Sequence, residues 1–319
     1  MEPRSEAIRG AVRSPAYERV SHGLYLPRKA ALPTRVALLR GLQAYTLVLP
    51  PDAGFTHISA AQVRGWSLPR LPVLPPVFAA GKSHHQPRRA GLVYSRLRGL
   101  AEPERVAGVP LVSSAEALLR SARDLGTLDL VVMLDSALRS GGCDTADLEF
   151  IASSSRPGAR RLRVALSWSD ARAESPFETL LRLFHEFAGI EVEPQFPVLD
   201  TDGRLLARAD LRVKGTPLLH EYDGAGHAQQ AQRAWDLRRQ RRLTGSSYVR
   251  QGFVAEDLLL YPLATLQEID RAVGRTHHPG RIARWKREVE LSSYSVQGRQ
   301  RLLNRWLAYP GFNDCAKAA

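Results

Sequence analysis

Cysteine is nearly absent from this 319-residue chain, which contains only Cys143 and Cys315. This excludes a disulfide framework and a zinc site built on cysteines. Long apolar runs are also missing, since no stretch approaches the roughly 18 uncharged apolar residues that a membrane span needs. The first six residues carry acidic side chains and no apolar segment follows them, unlike a secretory signal. We therefore expect a cytoplasmic protein with no membrane partner.

Acidic residues are scarce relative to basic ones. The chain has 45 Lys and Arg against 32 Asp and Glu, which gives a formal net charge of +13. Such an excess favours a polyanionic partner, because each phosphate contact made by Lys or Arg releases condensed counterions. A coding bias towards arginine would produce the same charge without any partner. Hydrophobic residues make up 44% of the chain, which is enough for a sizeable core.

The length and the local patterns predict two domains and an extension. The first part is predicted to contain a β-ribbon over 17–26 after a short helical stretch, helices over 31–46, 59–66, from 113 or 114, and over 128–138, and short strands between 73 and 112. Ser59 is the expected N-cap of the second helix. We divide the chain into residues 1–165, 166–275 and 276–319. The predicted fold class is α/β (α+β), with a mixed-sheet C-terminal domain after a smaller, mainly helical one.

The pattern after residue 174 is helix, β-hairpin, strand. Ser175, Pro176 and Glu178 are typical of a helix start, with an N-cap, a proline in the first turn and a capping-box glutamate. Two strands follow, joined by a tight turn over 200–203, and a further strand covers 218–223. Glu178 therefore has a purely structural explanation as a capping residue.

Three carboxylates are expected on one patch of this sheet. The alternation of a strand puts Glu221 and Asp223 on one face, and the preceding turn brings Asp210 of the neighbouring strand beside Glu221. Acids this close repel one another unless a cation lies among them. Hard oxygen ligands suit Mg²⁺ or Mn²⁺, which activate water and stabilise charge on a phosphate. The alternatives are an arginine salt bridge to Asp210 and a solvated strand edge carrying Glu221 and Asp223.

A basic helix is predicted after the carboxylates. Residues 233–250 contain six arginines and one acid. Of these, Arg238, Arg239 and Arg242 are at spacings that share a helix face, so we predict that they hold a nucleic-acid backbone. A solvated face would carry the same residues.

Residues 174–273 resemble the very-short-patch-repair-like branch of the PD-(D/E)XK nuclease superfamily. The matching segments are Ser-Pro-Phe-Glu at 175–178, Ala-Asp-Leu at 209–211, Glu-Tyr-Asp-Gly at 221–224 with His227, the helix from Trp235 to Leu243, and Tyr-Val-Arg at 248–250. The resemblance implies a restriction-endonuclease-like mixed sheet flanked by helices, a divalent metal and hydrolysis of phosphodiesters, usually in DNA.

The same resemblance implies roles for individual residues. Asp210 is the central metal ligand, Glu221 the second, and Glu178 the helix carboxylate that completes the site. Asp223 stands where many relatives have a catalytic lysine, and we count it with the metal ligands. His227 is then the candidate for water activation or for proton delivery to the leaving oxygen. Arg239 is the candidate that neutralises the phosphate.

Residues 16–165 are similar to the AbiEi family of antitoxin-like proteins. The segments behind this are 19–25 (Arg-Val-Ser-His-Gly-Leu-Tyr), 57–61 (His-Ile-Ser-Ala-Ala) and 134–139 (Leu-Asp-Ser-Ala-Leu-Arg). That family implies DNA binding and transcriptional autoregulation. The helix-turn-helix that normally leads this region is truncated in this chain.

The sequence as a whole predicts a Mg²⁺-dependent endodeoxyribonuclease acting in defence, mobile-element control or repair. The alternative is a non-catalytic antitoxin or repressor that uses a degenerate nuclease fold to bind DNA, and RNA cleavage also stays open. A homodimer is compatible with either. The C-terminal segment 271–319, in which aromatics alternate with charge, predicts either a surface that stacks single-stranded bases or helices that cover the nuclease domain.

Overall fold

Three β-sheets organise the described part of the chain in the computed structural model, which covers residues 6–84, 86–200, 202–224 and 247–310. The first is a small antiparallel sheet of β1 (Ile8–Arg9), β2 (Tyr17–Ser21) and β3 (Leu24–Pro27), in the order β1-β3-β2. It confirms the predicted ribbon with its break at Gly23, whose φ of 63° suits glycine. The short helix expected before the ribbon is wrong, since β1 and turns occupy that stretch.

The second sheet has five strands in the order β6-β5-β4-β8-β7. Its elements are α1 (Thr34–Thr46), β4 (Gly54–Phe55), α2 (His57–Arg64), β5 (Val77–Gly81), β6 (Leu92–Arg96), β7 (Glu104–Val106) and β8 (Val109–Leu111). The N-cap of α2 is Thr56 and not Ser59. The hydroxyl of Ser59 instead accepts the backbone N–H of Phe78 at 3.0 Å, which ties α2 to β5.

A group of helices follows this sheet: α3 (Ser114–Ser121), α4 (Thr127–Arg139), α5 (Thr145–Ala152) and α6 (Ala159–Leu166). Helix α3 begins as predicted, with the Ser113 hydroxyl accepting the Glu116 N–H. Helix α4 is buried at every position from Leu128 to Ala137. A helix enclosed on all sides belongs to the core, and both α3 and α6 pack on α4.

The third sheet holds the predicted carboxylates. It follows α7 (Pro176–Phe187) and contains β9 (Val192–Leu199), β10 (Leu205–Val213), β11 (Leu218–Tyr222) and β12 (Val249–Phe253). The order is β12-β11-β10-β9, and the pairs are antiparallel except for the parallel pair β11–β12. The mixed sheet confirms the α+β class. Its likeness to restriction endonucleases stays a prediction.

The C-terminal helices are α8 (Ala255–Leu259), α9 (Pro262–Ala272), α10 (Ala283–Leu291) and α11 (Val296–Leu307), with a 3₁₀ turn over Pro279–Ile282. Trp285 and Trp306 are buried in the core, and the Trp285 indole donates to the Leu258 carbonyl at 2.8 Å. Bases cannot stack on buried indoles, so the single-strand stacking surface based on them is wrong. Trp285 instead packs on Phe184 of α7 and Trp306 on Phe78 of β5, so these helices cover both earlier parts of the chain. That one of these parts is a nuclease stays a prediction.

One hydrophobic cluster crosses both predicted domain boundaries. It includes Ile58 of α2, Leu134 of α4, Phe184 of α7, and Trp285 and Trp306 of the C-terminal helices. The divisions at 165/166 and 275/276 therefore do not separate independent cores among the described residues. Within these same residues, no helix is long and apolar enough to cross a membrane.

Candidate active site

Asp210 lies where β10 runs against β11. The two strands pair with Leu211 opposite His220 and Arg212 opposite Leu219. Asp210 precedes Leu211 in β10, and its carboxylate Oδ2 accepts the backbone N–H of Tyr222 at 2.9 Å. The carboxylate therefore lies at the peptide that joins Glu221 to Tyr222, which confirms the predicted approach of Asp210 to the Glu221 strand.

Glu221 and Asp223 are joined by Arg250 of β12. The Arg250 Nε donates to Glu221 Oε2 at 2.5 Å, and its Nη2 donates to Asp223 Oδ1. The Glu221 side chain is 3% exposed and that of Asp223 45%. Burial by itself lowers the pKa of Arg250, but hydrogen bonding and the charges of both carboxylates outweigh it and raise that pKa overall. The solvated-edge alternative is thus wrong for Glu221, which is buried and ion-paired.

Gly252 makes this arrangement sterically allowed. It pairs with Glu221 across the parallel ladder. A Cβ at this position would lie 1.8 Å from Asp223 Oδ2, so the Asp223 carboxylate rests directly over the glycine. Any larger residue would push Asp223 away from Arg250.

Glu178 lies in the first turn of α7 and also contacts the sheet. The Ser175 hydroxyl accepts the Glu178 N–H at 3.2 Å. The Glu178 carboxylate Oε2 accepts the Glu174 N–H at 2.8 Å and the side-chain amide of Gln195 at 2.9 Å. The Ser175 cap is therefore confirmed, but the Glu178 carboxylate bonds to the N–H of Glu174 and not to that of Ser175, so the predicted capping box does not form within the described residues. Gln195 of β9 adds a contact that capping does not require.

Gln195 bonds to Glu178 and lies on β9 beside Asp210 of β10. Its neighbours Pro194 and Phe196 pair with Leu211 and Ala209, the two residues that flank Asp210. The backbone φ of Gln195 is 55°, a left-handed conformation that a non-glycine residue adopts at a cost of roughly 1–3 kcal/mol. Strand β9 is thus bent at the point nearest the carboxylates.

A histidine pair lies between α7 and β11. His185 Nδ1 donates to the Leu181 carbonyl at 2.8 Å, so its Nε2 accepts from His220 Nδ1 at 2.8 Å. Neither residue is exposed, and His220 Nε2 has no hydrogen-bond partner among the described residues. Burial lowers the pKa of His185 to about 4 and lowers that of His220 further, the latter also because of its histidine neighbour. Both imidazoles are therefore neutral at pH 7.

Sequence reasoning missed two parts of this site. The sequence patterns place Arg250 in a family motif and among the basic residues of 233–250, but give neither it nor Gly252 a role beside the carboxylates. Both act because β12 pairs in parallel with β11, with Arg250 opposite Leu219 and Gly252 opposite Glu221. The strand order that creates these neighbours is not visible in local periodicity. An arginine and a glycine two residues apart on a strand is the only signal, and it is weak.

The predicted His227, Arg238, Arg239 and Arg242 lie outside the described residues. They stay predictions, together with the basic helix that carries them.

The predicted metal ligands form two groups. Asp210 is bonded to the Tyr222 peptide, whereas Glu221 and Asp223 share Arg250. Across the residues that the structure describes, no three His, Cys, Asp or Glu side chains are gathered so as to hold a metal ion. Mg²⁺ is commonly held by only one or two carboxylates, with water and substrate phosphates completing its shell. The oxygens of Asp210 and Glu221 suit such an ion, and the single positive charge of Arg250 is shared between Glu221 and Asp223.

Comparison of the chain with protein-family models, curated proteins and solved structures found no match.

Proposed function

We propose that this protein is a metal-dependent endonuclease that hydrolyses phosphodiester bonds, with DNA as its substrate and a restriction-endonuclease-like C-terminal unit. The observation that carries the proposal is the buried Glu221 on a central strand, with the Asp210 carboxylate at its following peptide. Burying an acid at this position costs stability unless cations compensate it, and the single guanidinium of Arg250 is shared between Glu221 and Asp223. A purely structural strand would be expected to carry an apolar residue there.

The divalent metal would be held by Asp210 and Glu221, and when bound it would supply a Lewis acid and a more acidic water. Arg250 pairs with both neighbouring acids, and their charges and hydrogen bonds raise the pKa of its guanidinium. The Arg250 side chain is 32% exposed, so this guanidinium is also accessible to a phosphate oxygen. Glu178 is held towards the sheet by Gln195. His227 and Arg239 keep the roles that the resemblance implies.

A second candidate is favoured by the same arginine. Arg250 satisfies Glu221 and Asp223 without a metal, as in a structural ion-pair network. A protein with this arrangement can bind DNA through its basic surface and cleave nothing, as expected of an antitoxin or repressor. The +13 net charge supports both candidates equally.

Cleavage of plasmid, linear and single-stranded DNA in the presence of Mg²⁺ or Mn²⁺ tests the proposal. Wild type is compared with Asp210→Asn and Glu221→Gln, which keep shape and remove charge. Glu268→Gln is the matched control, because Glu268 is exposed on α9 and none of the described residues bonds to its side chain. We expect both site variants to lose at least about a hundredfold in rate, as is usual when a group that stabilises the transition state is removed, and the control to retain the wild-type rate.

DNA affinity is measured on the same samples. Unchanged affinity in Asp210→Asn together with lost cleavage assigns Asp210 to chemistry. Wild-type DNA binding without any metal-dependent cleavage would favour the repressor instead, and cleavage retained by Asp210→Asn would exclude this site.

A further inference from the structure

Four arginines surround a cavity that is distinct from the carboxylates. The cavity has a volume of about 520 Å³ and lies between the end of α3 and the start of α6. Its charged lining residues are Arg123, Arg160, Arg161 and Arg305, and the described residues contribute no acidic side chain to its wall. Helix α6 packs on α4 and α5 rather than on the four-stranded sheet. This region therefore differs from the proposed active site.

Two of these arginines are fixed by the protein. Arg161 Nη1 donates to the Ala122 carbonyl at 2.7 Å and to the Leu125 carbonyl at 2.9 Å, which lie just past the end of α3. Arg305 Nε donates to Asp124 Oδ1 at 2.8 Å. The pKa of Arg161 is lowered, first by burial and next by the charge of Arg305. The two guanidinium groups are thus close enough to repel each other in a partly desolvated place.

The other two arginines have no such anchor. Arg160 is exposed and Arg123 half-buried, and neither side chain bonds to an acceptor within the described residues. Asp124 offsets the charge of Arg305, but no acid pairs with Arg123 or Arg160 among the described residues, so the cavity keeps a positive local potential. An anion in the cavity would give Arg123 and Arg160 the acceptors that they lack.

The start of α6 adds to this positive character. Gly158 precedes the helix with a φ of 97°, and a Cβ there would lie 2.5 Å from the Leu119 carbonyl oxygen. This glycine lets the first turn of α6 approach the end of α3. No side chain caps α6 and no acid lies in its first turn. Arginines instead occupy its second and third positions, where the helix dipole disfavours cations.

We propose that this arginine-lined cavity binds a phosphate group. Guanidinium groups match phosphate oxygens in charge and in the geometry of their donors. The phosphate can come from a nucleic-acid backbone or from a free phosphate or mononucleotide. The proposal does not require cleavage, so it stands or falls independently of the endonuclease.

The test uses the full-length protein and the double variant Arg123→Ala with Arg160→Ala. Neither side chain has a protein partner in the described structure, so we expect its folding to be unaffected. Arg271→Ala is the matched control, since Arg271 is exposed on α9 and bonds to none of the described side chains. The probes are inorganic phosphate, followed by the shift in Tm, and a short duplex DNA in EDTA, followed by its Kd at several salt concentrations.

Phosphate should raise the Tm of wild type and of the control but not that of the double variant. If the phosphate belongs to a nucleic acid, the double variant also binds DNA about tenfold more weakly, with a salt slope smaller by about one to two units. If the double variant loses the Tm shift caused by phosphate but binds DNA as tightly as wild type, the cavity binds a free phosphate or nucleotide. If the double variant responds to phosphate and binds DNA as the Arg271→Ala control does, the proposal is overturned.

Discussion

His185 and His220 meet between α7 and β11, where both rings are buried and neutral. Each has a folded-state pKa below the ordinary value of about 6.5. Between pH 6.5 and 4 the unfolded chain therefore binds protons that the folded chain does not. The free energy of unfolding that this pair contributes therefore falls as the pH falls through this window.

Replacing both residues by leucine should flatten that pH dependence. Each histidine contributes up to about 1.4 kcal/mol per pH unit to the slope. Asp129 and Asp135, whose burial raises their pKa to about 6, act with the opposite sign. They are present in every variant, so their contribution cancels in the comparison.

Urea unfolding of wild type and of the His185→Leu, His220→Leu double variant between pH 4 and 7 measures the difference. His278→Leu, which removes an exposed histidine, is the control and should keep the wild-type slope. Equal slopes in all three proteins would show that the pair does not stay neutral in the fold.

For individual residues, the sequence predicts those contacts whose partners are close along the chain. Ser175 and Glu178 are recognisable as a helix start because the cap bonds within three residues. Asp210 and Glu221 are placed correctly because one short turn joins their strands. Arg250 is 29 residues from Glu221, and its role depends on a parallel pairing that local patterns do not encode.

Among the elements, the junction of α4 with α7 is held by a buried ion pair. Arg182 Nη2 lies 3.0 Å from Asp135 Oδ2, and the two side chains are 3% and 2% exposed. The Thr179 hydroxyl and the Asp170 N–H also donate to the Asp135 carboxylate. Burial nevertheless raises the pKa of Asp135 to about 6. The ionised form of this acid is therefore stabilised in the fold by Arg182 and by these hydrogen bonds.

Arg182→Met should therefore destabilise the protein by about 3–5 kcal/mol, because it leaves a buried acid without its counter-charge. The control is Arg172→Met, which breaks a pair whose arginine is exposed and should cost less than about 1 kcal/mol. Urea unfolding at pH 7.5 gives both values. If the two substitutions cost the same, Asp135 does not depend on Arg182.

Element boundaries show where sequence patterns are reliable. The turn before Arg204 is predicted correctly because Gly203 takes a φ of 79°, which glycine permits. The N-cap of α2 is predicted wrongly because the Ser59 hydroxyl bonds to β5, which is distant in sequence. A capping residue with a tertiary partner cannot be recognised from its neighbours alone.

For the whole molecule, the hydrophobic cluster that crosses both predicted domain boundaries predicts cooperative unfolding. The cluster that joins α4 and α7 also includes Trp285 and Trp306. In addition, the buried Asp129 of α4 accepts the Ser293 N–H and hydroxyl, which links the middle of the chain to its C-terminal helices. Composition predicts that a core exists, but it does not show that segments predicted as separate domains share it.

Scanning calorimetry should show one transition, with the calorimetric enthalpy equal to the van't Hoff enthalpy. A chain ending at residue 275 should lose this transition, because it lacks both buried tryptophans. Two resolved transitions in the full-length protein, or a stably folded truncated chain, would instead support independent domains.

The central claim is that Asp210 and Glu221 carry out metal-dependent hydrolysis, and single-turnover cleavage tests it most directly. With protein in excess over a labelled DNA, binding is saturated and the observed rate reports the chemical step. We predict Mg²⁺-dependent cleavage by wild type and by Glu268→Gln, and a rate at least about a hundredfold lower for Glu221→Gln at equal DNA occupancy. A wild type that occupies DNA fully and leaves it intact at every Mg²⁺ and Mn²⁺ concentration would contradict the claim.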